Sequence, residues 1–362
     1  MPRLSCIDAI GPAFGRLTDM LFRPFRFATW LKMGFIGWLA GAASSSVPNF
    51  NYTNPNIPAK EGSEVAREVD RFLQTLFSEH LLAIVVLTAV ALAVMLGFTY
   101  LFCRFRFVLF DSVLSGGPEI ARGWNRYSRP AHQYLGFWLI LLSISWAVLF
   151  LIVGLPLWRA YKGGVLQSDD PLSALFRVLL PIVLAGLAFA LISSIVSSLA
   201  NDFVVPQLAL ENTTVAEAWT NLLRMLSAEP GAFAGYLLMK FLLSIAAAIA
   251  IAIAVVLCLL VLLIPGVIVT LLVVAVVKAM GAVGYVFGIV LAAIGILAGI
   301  ALVLVMTLLA IAPTAVFFTA YSFQFFGGRY PRLGNLIERE RPPAPLSPLT
   351  AGTPPPPMPG AV

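Results

Sequence analysis

Between Phe233 and Leu263 the chain carries a single charged side chain, Lys240, and five more long apolar runs repeat that pattern. A helix needs about 20 mainly apolar residues to cross the hydrocarbon core of a bilayer. The candidate spans are residues 27–47, 80–103, 133–158, 176–200, 233–263 and 286–320. In lipid an unpaired backbone N–H or C=O finds no water, so a lone segment can cross only as a helix. That argument settles even Ala246–Ala254, whose alternation resembles a strand. Composition agrees, with 60% hydrophobic and 11% charged residues where a soluble domain carries about 25% charge. The fold class expected is an all-α polytopic transmembrane helical bundle of about six spans.

Two apolar segments need separate treatment. The stretch 265–280 holds only about 14 apolar residues between Pro265 and Lys278 and is read as re-entrant or interfacial, being short for a span. Ala40-Gly41-Ala42 resembles a signal-peptidase site. However, the residues before it form a helical pattern with two aspartates, unlike a short basic leader. The first run is therefore read as a retained anchor.

Arginine and lysine positions set orientation. With six spans and an internal N-terminus, fifteen fall in inside segments, among them Arg3, Arg16, Arg104, Arg106, Arg122, Arg126, Arg129 and Arg329. Seven fall outside, among them Lys60, Arg71, Arg159 and Lys278. This predicts an integral protein of the cytoplasmic (inner) membrane with both termini cytoplasmic. Residues 1–26 form an N-terminal amphipathic interfacial helix and 27–328 the transmembrane domain. Residues 329–362 form a cytoplasmic tail that is proline-rich and disordered, with nine prolines after Arg341. Residues 62–79 show helical apolar spacing and predict a short external amphipathic helix.

An internal repeat organises the spans. Three times an amphipathic segment ends in a charged residue before proline, at Arg23-Pro24, Arg129-Pro130 and Glu229-Pro230, and three times an aromatic-rich apolar run follows. Span exits match as well: Phe107-Val108-Leu109-Phe110-Asp111 parallels Phe203-Val204-Val205-Pro206-Gln207, with Trp124 and Trp219 downstream. Each repeat reads as an in-plane helix followed by a transmembrane hairpin. Proline supplies the corner, because it lacks an N–H and restricts the residue before it.

Residues for catalysis are scarce. There are two histidines and three scattered cysteines, and no metal-ligand spacing, nucleophile elbow, P-loop or dinucleotide fingerprint. No acid stands inside a candidate span to relay protons, which argues against a coupled pump. The chain is read as no enzyme, with no cofactor and no metal. Lys240 is the candidate pathway residue, with Ser194 and Ser197 of a serine stripe on the fourth run. The alternative reading of Lys240 is an anchor that snorkels to the interface. Arg104, Arg106, Arg122, Arg126 and Arg129, interleaved with Trp124 and other aromatics, form a cationic surface expected to meet anionic lipid headgroups. The same residues already set topology, so nucleic acid is not an expected partner. Glycine ladders at Gly34, Gly37 and Gly41, and at Gly288, Gly295 and Gly299, suit close helix packing.

Asp202-Phe203-Val204-Val205-Pro206, with Ala216-Glu217-Ala218-Trp219, Pro230-Gly231 and Tyr236-Leu237-Leu238, resembles a group of uncharacterised six-span bacterial membrane proteins. Phe22-Arg23-Pro24-Phe25 and Phe318-Thr319-Ala320-Tyr321-Ser322-Phe323 continue the likeness along nearly the whole chain. The architecture looks like the membrane domain fused to some glycerophosphodiester phosphodiesterases. Its motifs imply the fold and confer no activity. The apolar stretch after Pro265 is longer than that pattern. The expected function is a non-catalytic scaffold or subunit of a membrane assembly, with a protein partner or a second copy of the chain. The alternative is a small-molecule or lipid transporter.

Overall fold

The computed structural model describes residues 3–41, 81–162, 171–211, 213–279 and 281–340. The predicted external helix at 62–79 and the tail beyond Arg341 lie outside them. All regular elements described are helical: α1 (Ile10–Leu21), α2 (Phe27–Leu39), α3 (Leu81–Ser115), α4 (Ile120–Arg126), α5 (Ser128–Lys162) and α6 (Pro171–Leu199). A π-helical turn (Ala200–Val204) then leads into α7 (Val205–Glu211), α8 (Val215–Ala228), α9 (Pro230–Ala279), α10 (Gly281–Gly327) and α11 (Pro331–Glu340).

Among the described residues, five helices are long and apolar enough to cross a membrane: Leu82–Ser115, Ser128–Ala160, Phe176–Glu211, Pro230–Leu257 and Gly288–Gly327. The first predicted span, 27–47, is represented by the 13 residues of α2, about 20 Å at 1.5 Å per residue and short of a crossing. The stretch read as re-entrant or interfacial belongs, as far as Ala279, to α9, which runs as one helix of 50 residues through Pro265. Continuing the helix satisfies backbone groups that a break would leave unpaired in an apolar setting. At about 75 Å it greatly exceeds a hydrocarbon core of about 30 Å.

The spans outrun their sequence-based limits on the polar side. Helix α3 continues past Cys103 to Ser115, and the fourth span continues past Ala200 through the π turn to Glu211. Those extensions build the core. Buried side chains concentrate at one end of the bundle, where α3, α6 and α10 finish and α5 and α9 begin, with Phe107, Tyr134, Phe203, Tyr236 and Tyr321 all fully enclosed. Aromatic rings knit this collar: Phe203 lies 5.3 Å from Phe233, and Tyr236 stacks on Tyr321 at 5.1 Å. Such pairs add roughly 0.5–1.5 kcal/mol each beyond burial. Away from the collar the long helices present Leu87, Val90, Phe150, Leu191, Ile253 and Leu297 outward. Lipid is as apolar as leucine and exacts nothing for that exposure.

Short helices close the collar. Along α1 and its N-cap, Ala9, Ala13 and Leu17 recur at four-residue spacing and are buried, while Phe14 remains exposed. Thr214 and Glu217 form a reciprocal capping box at the start of α8. The three junction prolines stand at or just before the first turns of the helices that leave the collar: Pro24 precedes α2, Pro130 is the third residue of α5 and Pro230 opens α9. Trp30 Nε1 donates to the Leu21 carbonyl at 2.8 Å, which fixes the α1–α2 corner. Helix α2 makes its principal packing against α10. Only glycine fits at that crossing, since a Cβ on Gly34 would overlap the Leu308 carbonyl.

Candidate functional site

The π turn places two consecutive polar residues, Asn201 and Asp202, into the collar. One extra residue in the turn re-aims side chains that a regular helix would spread around its surface. Asp202 becomes the centre of a buried charge cluster. Its Oδ2 accepts from Lys240 Nζ, from the Tyr236 hydroxyl at 2.9 Å and from Ser198 Oγ at 3.2 Å. Its Oδ1 faces Arg106 Nη2 at 3.6 Å. Lys240 also donates to Ser198 Oγ at 2.8 Å, and the Tyr134 hydroxyl donates to Asn201 Oδ1 at 2.8 Å. The three ionic side chains are no more than 8% exposed. Two cations therefore meet one carboxylate in a setting where an unpaired charge is costly.

Helical periodicity assembles the site. Ser198 and Asp202 lie four residues apart approaching the end of the fourth span, and Tyr236 and Lys240 lie four apart on α9, so each pair shares a face. Arg106 enters from α3. Arg106 immediately precedes Phe107 as Asp202 precedes Phe203, and the two charged side chains confront each other across the collar.

A second cluster surrounds Asp111. Arg122 Nε donates to it at 2.9 Å and the Tyr127 hydroxyl at 3.2 Å, with Arg126 at 4.0 Å. Burial, with the Asp111 charge behind it, pushes the Tyr127 phenol up to about 12. The hydrogen bond to Asp111 makes the Arg122 guanidinium hold its proton more tightly than usual. A third cluster ties the chain's extremities together. Glu229 binds Arg329 at 3.0 Å and Arg3 at 2.6 Å, and Arg329 also donates to the Leu4 carbonyl at 3.1 Å. Arg16 reaches the last carbonyls of α3, Val113 at 3.0 Å and Leu114 at 2.5 Å. It lines a cavity of about 230 Å³ with Asp19 and Gln324.

These positions revise the sequence reading. Arg104 and Arg106, expected to face headgroups, are buried. Arg104 donates to the Tyr100 hydroxyl and the Trp124 carbonyl, each at 3.1 Å, and its guanidinium lies 4.6 Å from the Trp124 ring centre. Arg122, Arg126 and Arg129 keep substantial exposure. Lys240 is neither a snorkelling anchor nor alone, because Asp202 holds it. Of the serine stripe, Ser198 joins the cluster, whereas Ser194 is exposed and Ser197 half-buried without reaching it. Asp111 and Asp202 lie beyond the apolar runs but on the same continuous helices, because those helices run farther than their apolar segments. The matching four-residue spacings of Ser198–Asp202 and Tyr236–Lys240 are the signal that would have found the site. Among the described residues no group of three His, Cys, Asp or Glu side chains could hold a metal ion.

Residues 4–336 match a family described as a family of unknown function (DUF7544). Neither curated proteins nor solved structures provide a match.

Proposed function

The chain belongs to that family of unknown function, and from its geometry we propose a non-catalytic membrane scaffold, or a subunit of a membrane assembly, in the cytoplasmic membrane. The observation that carries the reading is the contrast between the two ends of the spans. The collar is packed and cross-linked by ion pairs, whereas the most apolar windows of four of the five spans bury none of their residues within the chain. On α10, Gly295 and Gly299 have open space where a Cβ would point. Small residues with that clearance let another helix approach closely, so a second copy of the chain or another membrane protein completes the packing.

Three repeats of in-plane helix plus hairpin, with α2 as the start of the first of six crossings, accommodate the junction prolines and the short collar helices. The collar end faces the cytoplasm and carries both termini, in keeping with Arg3, Arg122, Arg126, Arg129, Arg329 and Arg332 gathered there. Arg126 and Arg129 contact anionic headgroups. The likeness to the membrane domain of some glycerophosphodiester phosphodiesterases fits a part that anchors and does not hydrolyse. Native mass spectrometry in mild detergent tests the reading. Oligomers or a stoichiometric partner, weakened by Gly295→Leu and Gly299→Leu, are the expected result; a monomer that captures nothing overturns it.

A carrier for small molecules or lipids is the second reading, favoured by one feature. Ser194 and Ser198 descend one face of the fourth span toward Lys240. Liposome uptake abolished by Lys240→Leu would favour it, and uptake indifferent to that change removes Lys240 from any pathway.

A further inference from the structure

The Arg106 guanidinium is almost fully enclosed, yet its one described partner, Asp202, lies at 3.6 Å, beyond ordinary hydrogen-bonding distance. Five N–H donors are thus held among protein groups with none of their hydrogen bonds made to a described residue. Beside it is a nook of about 10 Å³, bounded by Arg106 from α3, Asn201 from the π turn, and Thr319 and Ser322 from α10, with apolar walls from Leu109 and Phe323.

The polar groups around this nook are biased toward donation. Asn201 Oδ1 is taken by Tyr134, which leaves its amide NH₂ to donate. Ser322 Oγ donates its hydrogen to the Thr319 carbonyl at 2.9 Å; the Thr319 hydroxyl on the same wall is a separate group with a hydrogen to donate. No carboxylate lines the space. Asp202 offsets one of its two cationic neighbours, so the cluster retains one positive charge inside the protein. The volume admits roughly one water-sized species, which excludes phosphate, sulfate and organic acids.

We infer that this nook is a binding site for a single halide-sized monovalent anion, chloride in the cell. It is held by Arg106, Asn201 and Thr319 and acts as the counter-ion of the Lys240–Asp202–Arg106 cluster. The anion joins α3, the π turn and α10 at one point, so its occupancy sets the stability of the collar. The inference does not depend on whether the protein is a scaffold or a carrier.

The experiment uses the full chain in detergent at constant ionic strength. The unfolding temperature should rise by several degrees, and saturate, when gluconate is replaced by chloride or bromide. The rise should disappear in Arg106→Gln and shrink in Thr319→Val. If Arg106→Gln does not fold, Thr319→Val and the wild-type chloride resonance decide: saturable line broadening of ³⁵Cl that Thr319→Val weakens supports the site. Equal stability in chloride and gluconate, with no broadening, means that water fills the nook and overturns the inference. A halide response unchanged in every folded variant also overturns it, because the ion then binds elsewhere.

Discussion

Arg106 on α3 and Asp202 on the π turn face each other 3.6 Å apart inside the collar. Each directly precedes a buried phenylalanine, Phe107 and Phe203. Lys240 shares the same carboxylate, so one acid holds two cations drawn from separate helices.

Removing the carboxylate should harm the fold more than removing either cation. Asp202→Asn leaves Lys240 and Arg106 buried without the carboxylate they share, and breaking a buried pair in this way costs about 3–5 kcal/mol. Lys240→Met leaves Arg106 opposite Asp202 and should cost clearly less. Thermal unfolding of the two variants in the same detergent checks the order, and a Lys240→Met protein as unstable as Asp202→Asn would contradict it.

The α2–α10 crossing should be intolerant of a single methyl group. Gly34→Ala drives a Cβ into the Leu308 carbonyl, and overpacking of this kind costs about 1–3 kcal/mol. Proteolysis near Ala40 should accelerate, whereas Gly136→Ala, where nothing lies within 4 Å, should leave the protein unchanged.

The capping box at the start of α8 should contribute measurably. Thr214→Ala removes the acceptor for the Glu217 N–H and should cost about 1 kcal/mol. Thr214→Ser should restore most of it in a denaturation series.

Alkali should weaken the Asp111 cluster. Burial raises the Tyr127 phenol from the ordinary tyrosine range to about 12, so the folded protein keeps a proton that the unfolded chain gives up. The stability this contributes is complete below pH about 10 and is lost as pH rises toward about 12. Tyr127→Phe should flatten that part of the stability profile. It should also remove one late-titrating phenol from the ultraviolet titration.

Labelling can test the arrangement of α5 and α6. With the native cysteines replaced, single cysteines at positions 170 and 345 should react from opposite sides of the membrane. Reaction of both from the same side would overturn the cytoplasmic placement of the tail together with the α5–α6 hairpin.

The sequence by itself determined the material of this protein. Runs such as 233–263 leave only helix available in lipid, and arginine and lysine placement, with the three prolines, marks where helices leave the polar side. Those signals are local, because backbone satisfaction in lipid and the proline corner need no distant partner. Lys240 was visible as an unusual residue, but its meaning was not: a lone lysine in an apolar run looks the same whether it snorkels, lines a pathway or meets a carboxylate. Hydropathy ended the second and fourth apolar runs at Cys103 and Ala200, short of Asp111 and Asp202. Only the tertiary structure showed that both helices continue and that a π turn aims Asp202 at a lysine 38 residues away. Burial of a charge depends on what other segments bring to it, and no window of sequence contains that information.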